Sequence, residues 1–173
     1  MVALLVAVWA AFAFLIMPGV GRLITPGAGA GARPIDLTFV LPPAEIMAMV
    51  AAYGKTGRVR YALFEVTMDV LYPLVYGLML IALIGWCARR ARFGGKVLGE
   101  KAVRALGLLP VAVVATDYLE NAGIITLLMR YPDALPGVAA AVSVLTGVKW
   151  SLVGLCLALA AGLAVAGGRR AGR

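Results

Sequence analysis

Residues 58–76 read Arg-Val-Arg-Tyr-Ala-Leu-Phe-Glu-Val-Thr-Met-Asp-Val-Leu-Tyr-Pro-Leu-Val-Tyr. The stretch opens a long apolar run and still carries Glu65 and Asp69. On a helix, positions four apart lie on one face, one turn from each other. An ionised carboxylate placed in hydrocarbon costs at least ~2.5–3.5 kcal/mol. Two such groups side by side require partners, water or protons, so this stretch predicts a helical bundle with a polar interior.

The composition sets the surroundings. Of 173 residues, 63% are hydrophobic, and the mean hydropathy is +0.98. Soluble domains hold about 45–50% apolar residues, so an integral membrane protein is expected, of one domain over residues 1–173. The net charge of +8 sits mainly at the ends of apolar runs. That placement suits topology and anionic headgroups rather than nucleic acid, which is not expected as a partner. Histidine is absent, which removes His-based acid–base chemistry, His-ligated haem and the usual zinc sites. Cys87 and Cys156 form no Cys-x-x-Cys pair and read as small apolar residues. No cofactor is expected.

Four apolar segments follow, at roughly 2–17, 61–86, 105–129 and 138–166, against the ~20 residues a span needs. The fold class expected is all-α, a four-transmembrane-helix bundle. The first segment lacks the basic start of a signal peptide and reads as a retained helix, although Ala28-Gly29-Ala30 faintly resembles a cleavage site. The connection after the second segment carries Arg89, Arg90, Arg92, Lys96, Lys101 and Arg104 against Glu100, and the tail adds Arg169, Arg170 and Arg173. The short third connection has only Arg130 and Asp133. With four spans, the positive-inside rule puts the second connection and both termini on the cytoplasmic side of the membrane. Arg22, Arg33, Lys55, Arg58 and Arg60 in the long outer connection oppose that bias, and weigh less because of its length.

Within that outer connection, residues 18–34 are rich in Gly, Ala and Pro and read as an irregular crossing. Ile35–Leu41 alternates weakly and suits an extended segment. Pro42-Pro43 then opens a short apolar helix through Tyr53, with Gly54 just past its end. It is too short to span and reads as an interfacial or capping helix.

The third segment carries Asp117-Tyr118-Leu119-Glu120-Asn121, and the fourth carries Lys149-Trp150. Counting ~1.5 Å per residue from the outer ends puts Asp69, Glu120, Lys149 and Asp117 about 12, 14, 16 and 18 Å deep. Glu65 falls nearer the outer interface. The agreement in depth predicts one shared pocket, opening outward, formed by Glu65, Asp69, Asp117, Glu120, Asn121 and Lys149. Tyr61, Tyr72 and Tyr76 are further candidates, with Arg58 at the rim. Four carboxylates face one lysine, so one of them should hold a proton at neutral pH unless a cation enters. Lys149 should pair with Asp117 or Glu120, a choice the sequence leaves open. Pro73 lacks an N–H and so frees the carbonyl four residues back, on Asp69. A metal among the four acids would meet competition from Lys149, and none is expected.

Gly57-Arg58-x-x-Tyr61, Asp69, Pro73-x-x-Tyr76, Asp117-x-x-Glu120-Asn121 and Lys149-Trp150 together resemble a group of uncharacterised bacterial four-helix membrane proteins. The resemblance covers most of the chain after residue 35 and implies a fold and a location rather than a reaction. A looser likeness, in layout and in Glu65 ahead of Pro73, is to EXPERA-type proteins.

Three functions fit this pattern. The pocket could bind or pass a lipid-like or cationic small molecule, or a proton. It could use Asp and Glu as general acid and base on a lipid or isoprenoid. Or the chain could be an accessory subunit, in a homo-oligomer or a larger membrane complex. Membrane lipids are the expected surroundings in every case.

Overall fold

A computed structural model of the chain describes residues 2–16 and 33–168. The Ala28–Ala30 triplet, Arg22, most of the Gly/Ala/Pro-rich crossing and the tail arginines lie outside the described residues. The fold is all-α apart from one small hairpin. Helix α1 (Val2–Ala11) continues as a π-helical turn over Phe12–Ile16. Helix α2 covers Pro43–Ala52, α3 Gly54–Arg90, α4 Glu100–Leu106, α5 Leu108–Arg130 and α6 Pro136–Gly168. Strands β1 (Arg92–Phe93) and β2 (Lys96–Val97) pair antiparallel between α3 and α4.

Among the described residues, three helical stretches are long and apolar enough to cross a membrane: α3, α4 with α5, and α6. The α1 stretch is shorter, at ~22 Å for its length in residues, and packs along α3. The outward faces of the long helices are apolar, with Leu63, Leu71, Leu78, Leu119, Val144 and Leu155 all exposed.

Two expectations about boundaries change. The second apolar segment is helical from Gly54, not from residue 61. Gly54 takes φ +64°, a conformation open mainly to glycine. The first helical run therefore breaks at Tyr53–Gly54 and α3 begins directly after α2. The segment 35–41 is not extended. It bends through a turn in which the Thr38 amide donates to the Ile35 carbonyl at 3.1 Å. The reason is tertiary: Ile35 and Leu41 are buried in a core that the turn lets them reach together. Helix α2 caps the same core through Ile46, Met49 and Val50, and packs on α6. Between β1 and β2, Gly94 and Gly95 both have positive φ, as a two-residue hairpin turn of this type requires.

The interior is layered. One apolar cluster joins the turn segment and α2 to Tyr61 and Ala62 of α3, Ile124–Leu128 of α5, and Ala139 and Val142 of α6. A second joins Tyr76–Ala88 of α3 to Val113 of α5 and Cys156–Leu163 of α6. The buried polar residues Glu65, Asp69, Asp117, Glu120, Asn121, Ser143, Thr146 and Lys149 fall between the two along every long helix. Each helix thus contributes an apolar end, a polar middle and an apolar end, and the register of the bundle aligns the middles.

Candidate functional site

Each acid in the polar layer is placed by helical spacing. Asp117, Glu120 and Asn121 share one face of α5 and turn inward; Glu65 and Asp69 do so from α3 and Lys149 from α6. The Lys149 ammonium pairs with both of its candidates, with Asp117 at 3.1 Å and Glu120 at 2.5 Å. The Asp117 carboxylate also accepts from the Tyr76 phenol. Glu120 accepts from the Thr146 hydroxyl at 2.5 Å. The ion triad is therefore held by hydrogen bonds on its outer oxygens, the condition under which a buried pair repays its desolvation.

The Asn121 amide donates to the Asp69 carboxylate at 2.7 Å and to its main-chain carbonyl at 3.2 Å. That carbonyl is the one Pro73 leaves without a helical donor. The Tyr118 phenol donates to the next carbonyl, of Val70, at 2.7 Å. Helix α5 thus supplies from its side chains what the proline removes from α3.

Glu65 is turned into the bundle interior. It is 1% exposed, and neither carboxyl oxygen has a hydrogen-bond partner among the described residues. The Arg58 side chain stays outside the polar layer. It reaches the Val50 carbonyl at 3.3 Å and lies 3.8 Å over the Tyr131 ring. Tyr72 is half-buried and packs against Phe12 and Tyr76, each at 5.3 Å between ring centroids.

Tyr61 leads to a group not picked out from the sequence. Its phenol donates to the Asp36 carboxylate at 2.6 Å and accepts from the Ile35 amide at 2.9 Å. The Trp150 indole donates to the Asp36 carbonyl at 3.1 Å, and the Tyr53 phenol to the Arg33 carbonyl at 2.5 Å. Burial, with Asp36 and Glu65 nearby, raises the Tyr53 phenol above its ordinary pKa, so it remains a neutral donor. Tyr61 on α3, Trp150 on α6 and Tyr53 at the α2–α3 junction therefore hold residues 33–36 against the polar layer, and Asp36 becomes its fifth buried acid. Thr146 was also missed. It lies one turn before Lys149 on α6, a spacing that could have suggested it, whereas no local pattern marks Asp36.

Beside this layer is a cavity of about 410 Å³, within the ~300–1,000 Å³ range of small-molecule sites. Asp36, Asp69, Asp117 and Lys149 line it together with the rings of Trp9, Tyr72, Tyr76 and Trp150. The remaining wall is aliphatic, from Leu37, Leu80, Val153 and Leu157. Among the described residues no three acid or thiol groups converge as ligands for one metal ion, and Lys149 fills the space between Asp117 and Glu120.

No family pattern, curated protein or solved structure matches this chain. What the site does is read from its own geometry.

Proposed function

We propose that the chain is an integral membrane protein whose cavity binds an amphipathic small molecule carrying a positive charge. In this reading α1 joins α3, α5 and α6 as a fourth, shorter member of the bundle. The arginine-rich hairpin and α4 face the cytoplasm, as do both ends of the chain, by the positive-inside rule. The cavity then opens from the opposite side, beneath residues 33–37.

The observation that carries this reading is the distribution of charge. Lys149 is committed to Asp117 and Glu120. Asp36 and Asp69 line the same cavity, and neither has a cationic partner among the described residues. The Tyr61 and Asn121 hydrogen bonds account for one carboxyl oxygen of each. An ammonium group would supply the missing charge, and the surrounding rings would add cation–π attraction. The aliphatic wall would take an alkyl chain.

The test compares dodecylammonium, dodecanol and dodecanoate, which share a chain and differ in charge, on full-length protein in nanodiscs. Dodecylammonium should bind most tightly, and Asp69→Asn should weaken it by about tenfold, or ~1.4 kcal/mol, while sparing dodecanol. Equal binding of the amine and the alcohol by the unmodified protein would refute the reading.

A further inference from the structure

A second hollow, of about 1230 Å³, lies at the other end of α3, between α1, α3 and the α4–α5 corner. Its walls are apolar, from Leu5 on α1, Leu78 and Ala82 on α3, and Leu108 on α5. Gly85 and Gly107 also border it. Arg89, Arg90 and Arg104 stand at one end.

The arginines are poorly neutralised. Arg104 shares its charge with Glu100 at 3.6 Å, but both side chains are largely exposed, and such pairs hold weakly. Arg89 and Arg90 meet no carboxylate among the described residues. Each donates to a carbonyl one turn back, of Gly85 and Trp86 respectively. Arg90 also stacks on the Trp86 ring at 4.1 Å. These contacts use few of the five donors on each guanidinium and orient the remainder. Trp86 is 43% exposed, and tryptophan is a residue enriched where helices meet lipid headgroups.

We propose that this groove holds an anionic phospholipid, with its phosphate on Arg89, Arg90 and Arg104 and an acyl chain along Leu78 and Ala82. The apolar floor runs from Arg89 back to Leu78, about 17 Å along the helix. A free phosphate would leave that floor uncovered. A second copy of the chain, presenting the same face, would bring three more arginines to the groove and only the exposed Glu100 to meet them. The inference rests on the membrane placement proposed above and is independent of cation binding in the other cavity.

The test is native mass spectrometry of the full chain released from nanodiscs containing equal phosphatidylglycerol and phosphatidylcholine. The unmodified protein should retain phosphatidylglycerol about tenfold over phosphatidylcholine, with the preference falling as salt rises. An Arg89→Gln, Arg90→Gln double variant should reduce that preference to near parity. Ala82→Trp, which fills the groove and leaves the arginines in place, should reduce retention of both lipids. Helical circular dichroism should be unchanged in both variants. Equal retention of the two lipids by the unmodified protein would overturn the proposal. So would retention untouched by both variants, displacement by millimolar inorganic phosphate, or a lipid-free dimer.

Discussion

The Asn121 side chain donates to Asp69 twice over, at one carboxylate oxygen and at its main-chain carbonyl. One residue on α5 thereby offsets both a buried charge and a proline-broken backbone bond on α3. Both contacts come from one side chain because Asn121 faces inward on α5, opposite Asp69.

Replacing Asn121 by Leu should therefore cost about 1–3 kcal/mol, the penalty for stranding buried polar groups. Pro73→Ala restores an N–H to the Asp69 carbonyl, so the Asn121→Leu cost should shrink in that background. A double-mutant cycle on reversible unfolding in mixed micelles measures the coupling. Strict additivity would show that the carbonyl contact contributes nothing.

Lys149→Met leaves Asp117 and Glu120 facing each other with no cation between them. Breaking a buried ion pair from one side costs about 3–5 kcal/mol, and membrane abundance should fall accordingly. Adding Asp117→Asn and Glu120→Gln to that variant should recover most of the loss, because no uncompensated charge remains in the triad. Abundance of the unmodified protein and the two variants, measured by quantitative immunoblot, checks the order.

Tyr61→Phe removes the donor to Asp36 and the acceptor for the Ile35 amide in one change. The loss should be about 1–3 kcal/mol and should be local, since the ring itself stays. Hydrogen exchange should quicken at residues 33–41 and stay slow through α5 and α6. Uniformly faster exchange would mean that Tyr61 supports the whole bundle instead.

Helices α5 and α6 approach closely at Gly123, where an added Cβ would lie 2.6 Å from the Val142 side chain. Gly123→Ala should cost about 1–3 kcal/mol through overpacking. Val142→Ala should relieve part of that cost by opening the same space. Thermal unfolding of the single and double variants decides the point.

Much of the architecture is local in origin and could be read from residue order. Helix type, the apolar ends and the polar middles follow from spacing and composition, because a buried helix must satisfy its own backbone and expose apolar side chains. The facing of Asp117 with Glu120, and of Glu65 with Asp69, follows from a turn of 3.6 residues. The acids at mid-helix could thus be picked out, but their partners could not. Lys149 takes both candidate carboxylates because α6 sets its ammonium between them, which depends on interhelical register. The extended reading of residues 35–41 failed for a related reason. Local alternation was outweighed by burial of Ile35 and Leu41 in a core assembled from distant segments.

What the sequence determined by itself is a helical chain with long apolar runs, interrupted at matched depths by groups that hydrocarbon rejects. Spacing and transfer energy are enough for that. Only the tertiary structure decided that Asp36, 25 positions before Tyr61, closes over this layer, and that Arg58 stays outside it. It also separated Asp36 and Asp69, which meet no cation among the described residues, from Asp117 and Glu120, which share Lys149. Those outcomes depend on distances between segments remote in the chain, and no periodicity along the chain encodes them.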